Sequence, residues 1–257
     1  MQAITLTTDF GTIDPYAGVM KGVILSLNPY AKIIDITHNI SPQNIWQANW
    51  TLRSSYKFFP KNTIHICVVD PGVGTKRKAI IIETSDYYFI GPNNGVFTWL
   101  IRENQIKHVI EIKEKKYFLP EVSHTFHGRD IFAPVAAHLA KGTKLEQFGP
   151  EVRISELVKN EDLEVKKYKH SCRGVIQHID RFGNLITNIP NNILPLKIYG
   201  KLNRYKFKGF YFSYTDGRKE ELFAIKASHG FVELSVNHSN AQKLTKANIG
   251  DEIEINF

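Results

Sequence analysis

The sequence predicts an α/β fold: an N-terminal wound α/β sheet domain followed by a smaller C-terminal all-β, barrel-like domain. Two observations predict it. From Ala3 to Gly142, short β-branched apolar runs alternate with segments of helical period, the mark of a wound sheet. After Leu157 that alternation gives way to strands separated by turns rich in Asn, Asp and Gly. Residues 158–170 are highly charged without a clear apolar period, which suits a linker. Domains are therefore expected at 1–160 and 171–257.

Taken in order, Ala3 to Thr8 reads as a strand that delivers Asp9 to its carboxyl edge. Asp14-Pro15 marks a helix start, an N-cap with proline in the first turn, and Asn28-Pro29 closes that helix. Lys32 to Thr37 is a second strand, leading to His38. Ser41-Pro42 is expected to open a second helix, apolar at Ile45, Trp46, Trp50 and Leu52, that ends near Phe59-Pro60. Ile64 to Val69 is an apolar run that reads as a buried strand, with Asp70 directly after it. Pro71, Gly72 and Gly74 then force a tight turn from which Arg77 emerges. Ala79 to Glu83 and Tyr87 to Ile90 are further strands, followed by G-P-N-N-G and a helix from Val96 to Arg102. His108 to Ile112 and Tyr117 to Leu119 read as short strands. A helix starts around Gly128 to Asp130 and is capped by Lys141-Gly142. Beyond the linker, R-G-V-I-Q-H-I, L-I-T-N-I, K-F-K-G-F-Y-F-S-Y, E-L-F-A-I-K-A, F-V-E-L-S-V and D-E-I-E-I-N-F all read as strands, with a turn at Thr215-Asp216-Gly217.

Composition narrows the class. With 42% hydrophobic and 23% charged residues, the 257-residue chain is an ordinary globular protein with enough length for an adequate core. No apolar run reaches the length of a membrane span, and the amino terminus lacks the basic-then-apolar order of a signal peptide. The two cysteines, Cys67 and Cys172, are far apart, so a reduced intracellular protein, in the cytoplasm, is expected. The net charge of +8 is dispersed, with small knots at Lys113 to Lys116, Lys166 to Lys169 and Arg204 to Lys208. No zinc-finger or helix-turn-helix pattern accompanies it, so neither nucleic acid nor a membrane surface is expected as a partner.

Several motifs carry chemistry. Ligands of open α/β sheets bind beyond the carboxyl ends of the strands, where Asp9, His38 and Asp70 fall. Asp70 and Arg77 form a carboxylate–guanidinium pair there; an ordinary Asp-Pro-Gly turn with an exposed arginine fits the same residues. H-T-F-H-G-R-D, His124 to Asp130, places His127 at a loop-to-helix junction, where it suits proton transfer or a polar nucleophile. Either histidine could merely cap or pack, and Arg129–Asp130 could be a surface ion pair. D-R-F-G-N, Asp180 to Asn184, is a glycine bulge or a plain hairpin end. S-H-G-F-V-E, Ser228 to Glu233, is a loop rich in backbone donors. Asp9, His38, Asp70, His127 and Asp130 are conceivable metal ligands, but none has the close spacing of a zinc or two-metal site, and the Gly-Lys-Ser/Thr ending of a P-loop is absent. No metal and no cofactor are expected.

T-T-D-F-G, V-V-D-P-G-V-G-T-K-R, G-P-N-N-G, H-G-R-D, D-R-F-G-N-L-I-T-N and S-H-G-F-V-E occur in this order along the chain. Together they resemble the S-adenosylmethionine hydroxide adenosyltransferases, and more distantly the fluorinases and chlorinases. The resemblance covers nearly the whole chain. It implies hydrolysis of S-adenosyl-L-methionine to adenosine and methionine by attack of water or hydroxide on the ribose 5′ carbon, through a catalytic set Asp70, Arg77 and His127. It further implies that Asp9 grips the ribose hydroxyls, that Asp180 meets the methionine ammonium and that Asn184 meets the adenine. Ser228 and His229 match the loop receiving the methionine carboxylate. Ala241 offers a backbone group to the adenine, Glu233 and Val236 line the same segment, and Phe126 forms an apolar wall near the sulfonium. Halogenating relatives place a hydroxyl residue where Gly128 stands and lack the Asp70 carboxylate, which favours water over halide. Asn93 stands where Asp is usual. The family assembles as trimers, with sites between subunits, so a homotrimer is expected. A halide adenosyltransferase, or a non-catalytic sensor of adenosine or S-adenosylmethionine, are the competing readings.

Overall fold

The computed structural model describes residues 2–160 and 164–257 and divides the chain into two compact units, Met1–Asn160 and Glu161–Phe257. Part of the stretch expected as a linker, residues 161–163, lies outside the described residues.

The first unit is built on strands β1 (Ala3–Thr8), β2 (Lys32–Thr37), β3 (Ile64–Val68), β4 (Ala79–Glu83), β5 (Tyr88–Pro92) and β6 (His108–Glu111). Their order across the sheet is β2-β1-β3-β5-β4-β6. The β2, β1, β3 and β5 neighbours are parallel, whereas β4 runs antiparallel to both β5 and β6. Because β1, β2 and β3 are parallel neighbours, their carboxyl ends lie side by side. Asp9, His38 and Asp70 follow those ends directly or within two residues.

Alternation along the strands sends successive side chains to opposite faces. Ile64, Ile66 and Val68 of β3 join a core with α1 (Tyr16–Leu27) and α4 (Ala133–Ala140), through Met20, Ile24, Val135 and Ala136. Cys67 of β3, with Val69, joins the opposite core, where α2 (Ile45–Ser55) and α3 (Thr98–Arg102) contribute Ala48, Leu52, Trp99 and Leu100. Layers on both faces explain why β3 is buried throughout.

Three local expectations fail. Asp14 does not cap α1: Pro15 takes the N-cap position with helical dihedrals and no side-chain bond, and the helix begins at Tyr16. Ser41-Pro42 does not open α2, which starts at Ile45; Asn44 caps it by accepting from the Gln47 N–H at 2.9 Å. Tyr117 to Leu119 is not a strand, because Lys115–Tyr117 closes into a 3₁₀ turn.

In the second unit the strands are β7 (Lys166–Lys167), β8 (Ser171–Ile179), β9 (Leu185–Pro190), β10 (Tyr199–Leu202), β11 (Tyr205–Lys208), β12 (Phe210–Tyr211), β13 (Leu222–Lys226), β14 (Phe231–Val236) and β15 (Glu252–Asn256). They run in the order β11-β10-β15-β8-β9-β14-β13-β12, a nearly closed, barrel-like sheet, with β7 added on β8. A short strand thus forms inside the expected linker. The run expected as one strand from Lys206 to Tyr214 breaks into β11 and β12 at Gly209, whose φ is +68°. The unit is not wholly strand either. Thr215-Asp216 lies in a 3₁₀ turn rather than a simple β-turn, and α5 (Ala241–Thr245) is capped by Asn240, which accepts from Lys243 N–H at 2.7 Å.

His65 of β3 tests the packing of the first unit. It is fully buried beside Phe89 and Tyr87, with Nδ1 2.8 Å from Thr5 Oγ1. Burial lowers its pKa from 6.5 to about 3. The unfolded chain therefore binds a proton that the folded chain refuses. The resulting stability is complete above pH 6.5 and is lost, at about 1.4 kcal/mol per pH unit, as pH falls toward 3. His65→Phe should flatten the acid limb of a denaturant-midpoint series between those pH values; an unchanged limb would contradict this account.

Candidate active site

The turn after β3 folds Arg77 back onto Asp70. Arg77 Nε lies 2.9 and 3.1 Å from the two carboxylate oxygens and Nη2 lies 2.5 Å from Oδ2, a forked pairing. The pair is no surface turn: the side chains are only 4% and 10% exposed, and the guanidinium sits 5.3 Å from the Phe132 ring centre. The same Nη2 lies 2.8 Å from His127 Nδ1. Asp70 and His127, 57 positions apart, are thereby joined through one guanidinium.

Arg77 fixes the histidine's tautomer. A guanidinium only donates, so Nδ1 of His127 accepts and the ring proton resides on Nε2. Burial and the Arg77 charge lower the His127 pKa from 6.5, outweighing the opposing pull of Asp70 and Asp130. The imidazole is therefore neutral at neutral pH, and protonation requires breaking its bond to Arg77. Activity should hold on acidification past pH 6.5 and fall only below the lowered pKa, which a pH profile of kcat/KM measures.

The loop carrying His127 is held from two sides. Gly74 has φ +75°, and a Cβ there would lie 2.3 Å from the His124 carbonyl oxygen, so only glycine fits the contact. Gly74→Ala should lower stability by about 2 kcal/mol, as thermal denaturation would report. On the other side Asp130 is fully buried, not a surface ion pair. It accepts from the Ser123 N–H (2.8 Å) and Oγ (2.7 Å) and from Arg129 Nε (2.6 Å). Burial alone would raise its pKa; the bonds from Arg129 and Ser123 prevail and lower it. A π-helical turn, Gly128–Phe132, follows immediately.

Asp70 and His127 line a cavity of about 270 Å³ together with Asp9, Gln43, Phe126 and Gly128. Arg77 is not among the lining residues and acts from behind them. Asp9 Oδ2 accepts from the Gln43 N–H at 2.8 Å. Phe126 is wedged edge-to-face against Phe10 and Tyr16, with Arg129 5.3 Å from its ring centre. Gly128 is packed tightly: a Cβ there would stand 3.2 Å from Met20 Sδ and from Phe126 Cε2. Among the described residues, the lining contains no lysine or arginine.

Of G-P-N-N-G, both asparagines are structural. Asn94 Nδ2 donates to the Val69 carbonyl at 2.8 Å, bracing the residue before Asp70. Asn93 donates to the Glu156 carbonyl (3.1 Å) and accepts from the Val158 N–H (2.8 Å). An ionised Asp could not do both.

The expected residues of the second unit fall into two groups. Asp180 caps its own turn, accepting from the Phe182 and Asn184 N–H groups and from Asn184 Nδ2 at 2.8–2.9 Å. Gly183, at φ +85°, lies so close to Asn240 that no side chain fits, which ties this turn to α5. Glu233 is 3% exposed and bonded to Ser235 Oγ (2.8 Å) and His229 Nε2 (3.3 Å). Burial raises its pKa, but the bonds from His229, Ser235 and Tyr214 overcome this and lower it. Ser228 is exposed on the loop before β14. Val236 and Ala241, by contrast, turn their side chains into the barrel core and are 4% and 0% exposed. Sequence reasoning missed Gln43, whose φ of +64° aims its N–H at Asp9; a non-glycine αL residue leaves no sequence signal.

A wound sheet with carboxylates beyond its strand ends, one of them joined to a neutral imidazole through a buried arginine, has the chemistry of an enzyme site able to hold and polarise an oxygen nucleophile. Among the described residues no group of three or more His, Cys, Asp or Glu could hold a metal. Residues 4–149 match the SAM hydroxide adenosyltransferase N-terminal domain and residues 174–254 the corresponding C-terminal domain. The chain therefore belongs to the SAM hydroxide adenosyltransferase family. It is 40% identical to the (R)-S-adenosyl-L-methionine hydrolase of Methanocaldococcus jannaschii, over 99% of this chain and 96% of that one. The fluorinase of an Actinoplanes species is more distant, at 28% over 72% and 71% of the two chains. A crystal structure of an uncharacterized conserved protein from Thermotoga maritima superposes with TM-score 0.89 at 37% identity, covering all of both chains.

Proposed function

We propose that this protein hydrolyses S-adenosyl-L-methionine to adenosine and L-methionine. The observation that carries the reading is the Asp70–Arg77–His127 linkage at the wall of the cavity. The sulfonium is already an activated leaving group, so the obstacle is the nucleophile: bulk water has a pKa of about 15.7. His127 donates its Nε2–H to the water oxygen and orients it. Asp70, its charge balanced by Arg77, takes the proton. As the oxygen–C5′ bond forms, the C5′–sulfur bond breaks and its electron pair stays on methionine sulfur. Holding one water in line accounts for several kcal/mol, on the order of 7.

Asp9 receives the ribose hydroxyls and Phe126 walls the sulfonium. The methionine end is assigned to Ser228 and His229, with Asp180 and Glu233 toward its ammonium. Asn184 and the backbone at Val236 and Ala241 are assigned to the adenine side. On this reading residues 1–160 hold the nucleophile and ribose sites, and residues 171–257 the adenine and methionine contacts. We assign a homotrimer, following the resemblance, and a cytoplasmic location, supported by two buried free cysteines. Light scattering at the mass of three chains tests the first.

Incubation with S-adenosylmethionine and chloride in heavy-oxygen water tests the reaction. Label in the adenosine 5′ hydroxyl is expected. A 5′-chloro product would make the protein a halide transferase, which the packed Gly128 disfavours. Binding with unchanged substrate would make it a sensor.

A further inference from the structure

His38 is a strand-end residue that the proposed reaction leaves unused, and its surroundings are more elaborate than packing requires. It is 5% exposed. Its Nδ1 lies 2.8 Å from the hydroxyl of Thr8, which is fully buried at the end of β1 immediately before Asp9. The Thr8 hydroxyl also accepts from the Phe10 N–H at 3.3 Å. The two loops are sewn together by backbone bonds as well: Gly11 N–H donates to the His38 carbonyl at 2.7 Å, and Ile40 N–H to the Thr8 carbonyl at 3.3 Å. Behind the ring, Nε2 lies 3.1 Å from Asp35 Oδ1, at ion-pair distance but out of line for a straight hydrogen bond. Asp35 is anchored in turn by Lys21 Nζ at 2.5 Å.

Asp9 thus sits between two fixed points. Gln43 supplies an N–H to one carboxylate oxygen from the α2 side, held in a left-handed conformation that a glutamine adopts only against a cost. His38, through Thr8, fixes the backbone from which the Asp9 side chain springs. The geometry points to His38 as a positioning residue that sets the Asp9 carboxylate for the substrate's ribose, acting through Thr8 and with no contact to the reacting atoms. The inference rests on the reading of Asp9 as the ribose-binding group. The physical reason is preorganisation: a carboxylate must face two adjacent hydroxyls at once, so displacement of its loop by even part of an ångström weakens both bonds.

The test is a double-mutant cycle on the full-length protein, with kcat and KM for S-adenosylmethionine and the Kd of adenosine by calorimetry. His38→Ala is expected to raise KM and the adenosine Kd about tenfold, the effect of losing one buried hydrogen bond, while kcat changes less than about threefold. His38→Asn, whose amide oxygen can take the place of Nδ1, should restore most of the affinity, whereas His38→Gln should not. In an Asp9→Asn background, His38→Ala should add little, since the group it positions is gone. If His38→Ala does not fold, Thr8→Val breaks the same contact and carries the same expectation. Unchanged KM, an equal fall in kcat, or full additivity with Asp9→Asn would overturn the positioning role. If Asp9→Asn itself leaves adenosine affinity intact, the ribose reading of Asp9 fails first, and the inference with it.

Discussion

Asp70→Asn should lower kcat by about a thousandfold while KM and adenosine affinity stay within a few-fold. The amide keeps the size of the carboxylate and one oxygen for Arg77, so the cavity wall is preserved. On the proposed reaction, what it loses is the ability to take a proton from water. The Nε2–H tautomer of His127 matters here, because the imidazole's only lone pair is committed to Arg77 and cannot substitute as the base. Residual turnover should rise with pH as hydroxide itself becomes available. Stopped-flow or discontinuous assays with calorimetric adenosine titration separate the outcomes. Equal losses in kcat and affinity would reassign Asp70 to substrate recognition.

Arg77→Leu should be more damaging still, since it acts on stability and chemistry together. It leaves a carboxylate that is 4% exposed without its counter-charge, and removes the donor that holds His127 Nδ1. Breaking a buried pair in this way costs about 3–5 kcal/mol, against a typical total stability of about 5–15 kcal/mol. Turnover of the folded fraction should drop by about three to four orders of magnitude, combining loss of electrostatic stabilisation with loss of the histidine's orientation. Arg77→Lys should recover most of the stability but little of the rate, because a single ammonium cannot span both carboxylate oxygens and the imidazole. A lysine variant with near-normal kcat would show that charge alone suffices and that the bridging geometry is incidental.

Much of this was legible in the chain. The apolar run ending in Asp70, with Pro71, Gly72 and Gly74 behind it, announces a buried parallel strand and a tight turn at a sheet edge, because those residue types leave few other backbone choices. The change from alternating periods to strands likewise marks where one kind of layer ends and another begins. Boundaries were less legible. Ser41-Pro42 resembles a helix start as well as Asn44 does, and only the packing of Ala48 and Leu52 against the sheet selects the later one. The resemblance makes Val236 a lining residue, yet strand register turns its side chain into the core.

The sequence by itself determined the residue types at the strand ends and their local turns, since these depend on short-range sterics and hydrophobic period. Only the tertiary structure decided which nitrogen of His127 carries the proton, that Arg77 stands behind the cavity wall rather than in it, and that Asp130 is a buried anchor. Each of those depends on a partner many positions away, and on the water excluded when distant segments close over a charge.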